Sequence, residues 1–166
     1  MKVSPPLADD GRGNVLVSFE RGREDAPPEG APTPLALIAL WHGPRVLLVR
    51  DRFRDAWELP GGSRESGESP REAAVRELGE ETGQRADERL LFIGWARFLL
   101  APDGRSEHGA LYGGLVARPR PFEPNGEIAA VHWWDPREPP PAPAQPLDLH
   151  LARLAAPRPA RRHMPQ

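Results

Sequence analysis

The stretch that decides the fold is Gly61–Gly83, GGSRESGESPREAAVRELGEETG. It begins with two glycines that follow an apolar segment, and it continues with complete signals for a helix. Ser69 is the predicted N-cap, Pro70 occupies the first helical position, and Glu72 completes a capping box. Gly83 stands where a left-handed residue commonly ends a helix. The stretch therefore predicts a glycine-rich turn followed by a helix between Ser69 and Gly83.

Three glutamates of this predicted helix share one side. Glu77 and Glu81 are four residues apart, and Glu77 and Glu80 are three apart, which are the spacings of neighbouring helical side chains. The simplest interpretation is a solvated acidic face, relieved in part by Arg76. Gly79 in mid-helix costs up to about 1 kcal/mol relative to alanine, which a purely structural helix has little reason to carry. The pattern therefore favours a cation site of hard oxygen ligands, which suits Mg²⁺ or Mn²⁺ rather than zinc.

The stretch resembles the Nudix box, in which Gly, Glu and the core Arg-Glu-apolar-x-Glu-Glu-x-Gly recur at fixed spacing. The matching positions are Gly62, Glu68, Arg76, Glu77, Leu78, Glu80, Glu81 and Gly83. The one departure is the final apolar position, held here by Gln84, which is expected to pack and to carry no chemistry. The flanking segments RVLLVR and WELPGG agree with the resemblance. The resemblance covers the layout from about Leu35 to Ala156, and its specific part is the box.

The resemblance implies a fold, a metal and a set of site residues. The fold is the Nudix fold of the α/β (α+β) class, an α/β/α sandwich around a mixed central sheet. Glu68 is implied to pair with Arg76 and to orient the site. Water, activated by Mg²⁺ or Mn²⁺ and a carboxylate base, would attack phosphorus. The implied metal ligands are the carbonyl of Gly61 and the carboxylates of Glu77, Glu80 and Glu81. The implied catalytic residues are Glu68, Arg76, Glu77 and Glu81, with one glutamate from beyond the box.

The glutamate beyond the box has three candidates. Many members of the family take a further glutamate from a later loop, as metal ligand or general base. Glu127 is favoured because it lies at the start of the last predicted strand, and Glu107 and Glu123 compete with it. A single loop glutamate is more often merely solvated, so that interpretation stays open beside the catalytic one.

Hydrophobic patterning predicts the remaining elements. Strands are expected at 14–20, 35–40, 45–50, 57–62, 90–100, 109–116 and 128–134, and a short amphipathic helix at 146–156. The predicted organisation is an N-terminal strand and Pro-rich linker at 1–34, a Nudix domain at 35–156, and a flexible tail at 157–166. The N-terminal segment could complete the sheet, reach a dimer partner or be mobile.

Aromatic side chains offer candidate contacts to a nucleotide. Adjacent strand residues face opposite sides, so one of Trp133 and Trp134 is expected in the core while the other could stack on a base. Trp57 is expected in the core. Phe53 lies among three arginines and could contact substrate phosphates, or it could be part of a solvated loop.

Composition bounds the remaining possibilities. The 166 residues suit one domain, and a net charge of −2 gives no sign of a stable nucleic-acid complex. The absence of cysteine excludes disulfides, thiolate metal sites and cysteine nucleophiles. No apolar run approaches the roughly 18–20 residues that span a bilayer, and Met1–Asp10 lacks the order of a signal peptide. The expectation is a cytoplasmic protein without a membrane partner, with a homodimer left open.

The expected function is metal-dependent hydrolysis of a phosphoanhydride bond in a nucleoside diphosphate linked to another moiety. Family markers for coenzyme A, for ADP-ribose and for dinucleoside polyphosphates are not found in their places. Elimination leaves a MutT-like hydrolase of an ordinary or oxidised nucleoside triphosphate, giving the monophosphate and pyrophosphate. The alternatives are an ADP-ribose or nucleotide-sugar pyrophosphatase, a catalytically silent nucleotide-sensing domain, and an acidic interaction module. The complete carboxylate set argues against the sensing domain, and the interaction module would leave the repulsive glutamate cluster unexplained.

Overall fold

Nine strands form one mixed sheet with a helix on each face, within residues 4–158 that the computed structural model describes. The elements are β1 (Ala8–Asp9), β2 (Val15–Glu20), β3 (Leu35–His42), β4 (Arg45–Asp51), β5 (Ala56–Glu58), β6 (Gly61–Ser63), α1 (Pro70–Thr82), β7 (Leu91–Leu100), β8 (Arg105–Leu115), β9 (Ile128–Trp134) and α2 (Pro146–Leu154). Neither helix in this range is long and apolar enough to cross a membrane.

The sheet combines parallel and antiparallel pairs. The strand order is β1-β2-β7-β8-β3-β4-β5, with β6 paired to β3 and β9 paired to β4. β3 and β8 run parallel from the pair Leu35–Gly109 to the pair Trp41–Leu115, and the other strand pairs are antiparallel. The mixed central sheet of the expected α/β/α sandwich is therefore confirmed.

Alternation along the central strands gives each helix its own core. On β3, Ile38 and Leu40 join a buried cluster with Leu78 of α1. Ala39, between them in sequence, belongs instead to the cluster that contains Leu151 of α2. Because successive strand residues point to opposite faces, a continuous apolar run such as LALIAL needs cover on both sides of the sheet. The two helices provide that cover.

Helix α1 has the predicted bounds. The Ser69 hydroxyl accepts a hydrogen bond from the Glu72 N–H at 3.1 Å, and the Ser69 N–H donates to Glu72 Oε1 at 3.3 Å. Gly83 ends the helix in the left-handed region, with φ of 69°, and its N–H donates to the carbonyl of Gly79. These bonds satisfy backbone groups that a helix end otherwise leaves unpaired.

The N-terminal segment joins the main sheet. β2 pairs with β7 from Val15–Leu99 to Glu20–Trp95, and Leu16 is fully buried. Beyond β2, the carboxylate of Glu24 forms an ion pair with Arg71 of α1 at 2.8 Å. Of the three roles considered for this segment, the structure shows completion of the sheet. The division at residue 34 into separate units stays a prediction, and residues 159–166 of the predicted tail lie outside the described residues.

Other strand and helix boundaries differ from those that hydrophobic patterning predicts. The single strand predicted at 57–62 is wrong, because β5 pairs with β4 whereas β6 pairs with β3. Pro60, between them, has no N–H to donate, and its carbonyl accepts from Ile38 at 3.0 Å. β8 begins at Arg105, earlier than predicted, α2 ends at Leu154, and the two-residue β1 was not predicted.

Candidate active site

The Gly61–Gly62 turn places backbone directly against β3 and α1. Gly61 has φ of 152°, and a Cβ there would lie 2.2 Å from the carbonyl oxygen of Ala36. A Cβ on Gly62 would lie 2.8 Å from Oε1 of Glu77. Both separations are shorter than a carbon atom tolerates. Glycine is therefore required at position 61, where the clash is with backbone, whereas a side chain at position 62 would displace the carboxylate of Glu77.

Glu81 and Glu77 are the carboxylates beside this turn. Glu81 is only 4% exposed, and its Oε1 accepts a hydrogen bond from the Gly61 N–H at 2.8 Å. Burial, together with the nearby carboxylates of Glu77 and Glu127, raises the pKa of Glu81 to about 8. Burial also raises the pKa of Glu77. Ionising both groups is costly in the protein alone, and a divalent cation beside them would offset that cost.

Arg76 connects the glutamates of the motif. Its Nε and Nη2 donate to the two oxygens of Glu68 at 2.8 and 3.0 Å, and its Nη2 also donates to the carbonyl of Ser63 at 3.1 Å. Its Nη1 donates to Glu77 at 3.0 Å and to Glu80 at 3.1 Å. This arginine lowers the pKa of Glu68 to about 2. Arg76 thus holds Glu77 in a fixed orientation relative to the β6 end.

Glu80 lies apart from the other two helix carboxylates. Its side chain is 59% exposed and contacts Arg76, whereas Glu77 and Glu81 line a cavity of about 490 Å³. Within residues 4–158 no cluster of three or more His, Cys, Asp or Glu side chains is arranged to hold a metal ion. Glu77 and Glu81 supply two carboxylates, which is the number that Mg²⁺ commonly takes alongside water and phosphate oxygens. The donors present therefore fit a hard divalent cation.

Glu127 lines the same cavity from the loop before β9. Its N–H donates to the side chain of Asn125 at 3.0 Å, and its carbonyl accepts from the Arg52 N–H at 2.9 Å. The Asn125 side chain in turn donates to the carbonyl of Glu81 at 3.1 Å. Asn125 therefore ties this loop to the end of α1 and keeps Glu127 near the helix carboxylates.

The two competing glutamates lie elsewhere. Glu107, on β8, is paired with Arg105 at 2.9 Å. Glu123 is exposed in the loop that follows β8. Neither is among the residues that line the cavity. Of the three candidates, the structure brings Glu127 to Glu77 and Glu81.

Comparison with known proteins identifies the family. The family model of the NUDIX domain, which describes the sequences of its members, matches residues 32–155. The chain belongs to the Nudix family. A solved structure with a similar fold is a MutT NUDIX hydrolase from Burkholderia pseudomallei, which has a TM-score of 0.64, 23% sequence identity, and coverage of 76% of this chain and 100% of that one.

Curated relatives of this Nudix domain match over shorter segments. A protein of Bacillus subtilis named "Putative ADP-ribose pyrophosphatase YjhB" is 41% identical over 68 residues, covering 39% of this chain and 33% of the relative. A second protein of that species, named "Putative 8-oxo-dGTP diphosphatase", is 48% identical over 50 residues, covering 30% of this chain and 34% of the relative. These alignments span about a third of the relatives' length.

A second group of carboxylates in the Nudix cavity was missed by sequence reasoning. Buried Asp51 and Glu58 both accept hydrogen bonds from Arg54, at 2.9 and 3.0 Å. Asp148, at the start of α2, accepts from the Leu59 N–H at 2.9 Å across a sequence separation of 89 residues. Burial raises the pKa of Asp148 to about 8 and also raises the pKa of Glu58. No spacing marks these residues, because three separate segments supply them.

Of the four aromatic residues considered as candidates, only Phe53 lies at the cavity. Phe53 is 79% exposed and lines the cavity of the Nudix site. Trp134 is fully buried, as expected of one member of its pair. Trp133 packs edge-on against His42, with the two ring centroids 5.8 Å apart. Trp57 is half-buried in the described structure, and none of these tryptophans lines the cavity. The structure therefore does not bring the outward tryptophan to the candidate site.

Proposed function

We propose that the protein is a divalent-metal-dependent Nudix pyrophosphohydrolase acting on a nucleoside diphosphate linked to another moiety. The observation that carries the proposal is the cavity wall, in which Glu77 and Glu81 lie against the Gly61–Gly62 turn and Glu127 lines the same cavity. A cavity lined by carboxylates repels phosphate by itself, and it becomes a phosphate site with a bound cation.

Each residue of the motif has a role in this proposal. Mg²⁺ or Mn²⁺, held by Glu77 and Glu81 with the Gly61 carbonyl as the further ligand, would neutralise phosphate charge and lower the pKa of water. Glu127 would accept the proton of the attacking water. Arg76, fixed by Glu68, positions Glu77.

The geometry supports Glu80 as a metal ligand less well than it supports Glu77 and Glu81. Its carboxylate is largely exposed and contacts Arg76. To bind the cation it would have to turn away from that arginine. Its role as a metal ligand is therefore proposed from the motif, whereas burial and the Gly61 contact support Glu81.

For the substrate, we propose a nucleoside triphosphate, ordinary or oxidised, that is converted to the monophosphate and pyrophosphate. The support is the relative named for 8-oxo-dGTP, which is 48% identical over its aligned segment. The relative named for ADP-ribose, 41% identical over its segment, makes ADP-ribose the competing substrate. We extend the proposal to a cytoplasmic location, which suits a chain without cysteine.

The test is hydrolysis of a substrate panel with Mg²⁺, with Mn²⁺ and with chelator. The panel holds ordinary and oxidised nucleoside triphosphates, ADP-ribose, nucleotide sugars and dinucleoside polyphosphates. We expect metal-dependent release of pyrophosphate from a triphosphate. Release of AMP and ribose phosphate from ADP-ribose alone would overturn the substrate, and turnover that persists in chelator would overturn the mechanism.

Substitution of Glu81 tests the residue assignment. Glu81→Gln keeps the shape of the side chain and removes the charge, so we expect hydrolysis to fall by at least about 10²-fold. Glu138→Gln changes an exposed glutamate outside the cavity and serves as the matched control. Full activity in Glu81→Gln would show that the assignment is wrong.

A further inference from the structure

We propose a second ligand site in this protein, a groove that binds a small molecule carrying two or more phosphoryl groups without a metal ion. The groove lies on a different face of α1 from the carboxylates and has a volume of about 580 Å³. We call it the arginine groove, and define it by Arg85, Arg89, Arg118 and Arg120 at its rim and by Leu78 and Leu90 at its base.

The arginine groove carries a net positive charge. Five arginines line it, against the two acidic residues Asp87 and Glu88. The fifth arginine, Arg71, is neutralised by Glu24 at 2.8 Å. The four rim arginines take part in none of the ion pairs formed within residues 4–158. All four are exposed residues, so an anion can reach them from solvent.

Gln84, the one departure from the Nudix box, holds one side of the groove in place. It is 4% exposed, its Nε2 donates to the carbonyl of Arg120 at 2.7 Å, and its Oε1 accepts from the Arg120 N–H at 2.9 Å. An apolar side chain could make neither bond. The expectation that this position only packs was therefore incomplete, because the glutamine also fixes the backbone of a groove arginine.

Asp87 provides a second, independent connection across the groove. Its N–H donates to the carbonyl of Leu115 at 2.9 Å, and its carboxylate accepts from the Ala117 N–H at 2.8 Å. Residues 84–89 and 115–120 are thus joined at two points, so the backbones that carry the rim arginines are held together. Binding then requires the ordering of side chains but not of loops, which reduces its entropic cost.

The chemistry of the arginine groove identifies its class of ligand. Guanidinium groups bind phosphoryl oxygens in a bidentate manner and keep their charge at any physiological pH. Leu78, Leu90 and the half-exposed Val75 give the groove an apolar base on which the rest of an organic phosphate can pack. The carboxylate cavity has the opposite requirement, because it attracts phosphate only through a cation. The groove and the cavity therefore differ in metal dependence.

That difference defines the experiment. Inorganic tripolyphosphate is titrated calorimetrically into the full chain in excess EDTA, at about 0.15 M salt, where charges more than about 8 Å apart are largely screened. We expect one saturable site. The double variant Arg118→Gln, Arg120→Gln should bind at least about tenfold more weakly, equivalent to about 1.4 kcal/mol. The matched control is Arg97→Gln, an exposed arginine in the middle of β7 outside the groove.

Three results would overturn the proposal. They are no saturable binding by the unsubstituted chain, equal binding by the double variant, and equal weakening in Arg97→Gln. If the first result is accompanied by saturable binding of a single-stranded RNA oligonucleotide, the surface serves a macromolecule instead. Since the titration contains no metal and no turnover, its result is independent of the proposed hydrolysis.

Gln84→Leu tests whether the groove is built or is merely a group of surface charges. The variant keeps every arginine and restores the residue type that the motif expects. We expect it to weaken tripolyphosphate binding severalfold while metal-dependent hydrolysis persists. Unchanged binding would show that Gln84 has no positioning role.

Discussion

At the residue scale, two glutamates of one loop provide a direct comparison. Both are exposed, but Glu127 lines the cavity with Glu77 and Glu81 and Glu123 does not. If Glu127 accepts the proton from water, Glu127→Gln should lower kcat by about 10²- to 10⁴-fold. Glu123→Gln should leave kcat within about twofold. The measurement is steady-state hydrolysis with saturating metal, and equal rates in the two variants would remove Glu127 from the mechanism.

The raised pKa of Asp148 predicts how the free energy of unfolding depends on pH. Burial raises the pKa of this carboxyl from 3.8 to about 8, so the folded protein favours its protonated form. Its contribution to stability is present below the unfolded pKa and is lost as the pH rises through about 8. Asp148→Asn stays neutral and can still accept the Leu59 hydrogen bond. We expect the variant to gain in stability relative to the unsubstituted chain as the pH rises.

Urea unfolding at about pH 5 and at about pH 9 measures this difference. Asp25→Asn is the control, because Asp25 is exposed and paired only with Arg23. A constant difference in unfolding free energy between Asp148→Asn and the unsubstituted chain at both pH values would contradict the prediction.

The candidate site could be predicted from the sequence in one part and not in another. Glu77 and Glu81 are marked by their spacing on one helix, since local geometry alone brings them together. Asp51, Glu58 and Asp148 come from β4, β5 and α2, and their proximity exists only in the folded sheet. Single-sequence reasoning detects the first kind of arrangement and has no signal for the second.

At the element scale, the N-cap of α1 contributes measurably to the free energy of unfolding. Ser69→Ala removes the acceptor for the Glu72 N–H and should lower the free energy of unfolding by about 1 kcal/mol. Ser66→Ala, an exposed loop residue that precedes the helix, is the control. Chemical denaturation measures both variants, and equal stabilities would show that the cap contributes nothing.

Element boundaries were predictable where they depend on local hydrogen bonds. The bounds of α1 follow from Ser69, Glu72 and Gly83, all within or next to the helix. The separation of β5 from β6 depends on pairing with two different neighbours, β4 and β3. That choice is made by the tertiary structure, so patterning over residues 57–62 merges the two strands.

At the scale of the whole molecule, Leu16 tests whether the N-terminal segment folds with the rest. Leu16 is fully buried and belongs to the same cluster as Leu111 and Leu151. Leu16→Ala should lower the free energy of unfolding by about 2–5 kcal/mol in one cooperative transition. Leu99→Ala, on the neighbouring strand and 36% exposed, should cost much less. A separate early transition would instead support the predicted division at residue 34.

The pairing of β2 with β7 also affects self-association. Without β2, the ten-residue strand Leu91–Leu100 would present unpaired backbone groups along one side. Long strand edges of this kind recruit other chains and seed aggregates. In the folded protein β2 covers that side from Trp95 to Leu99, and the sheet ends there at β1, a two-residue strand that contains Asp9 and is followed by Asp10. The segment that precedes the Nudix domain thus protects the edge of β7 from pairing with a strand of another molecule.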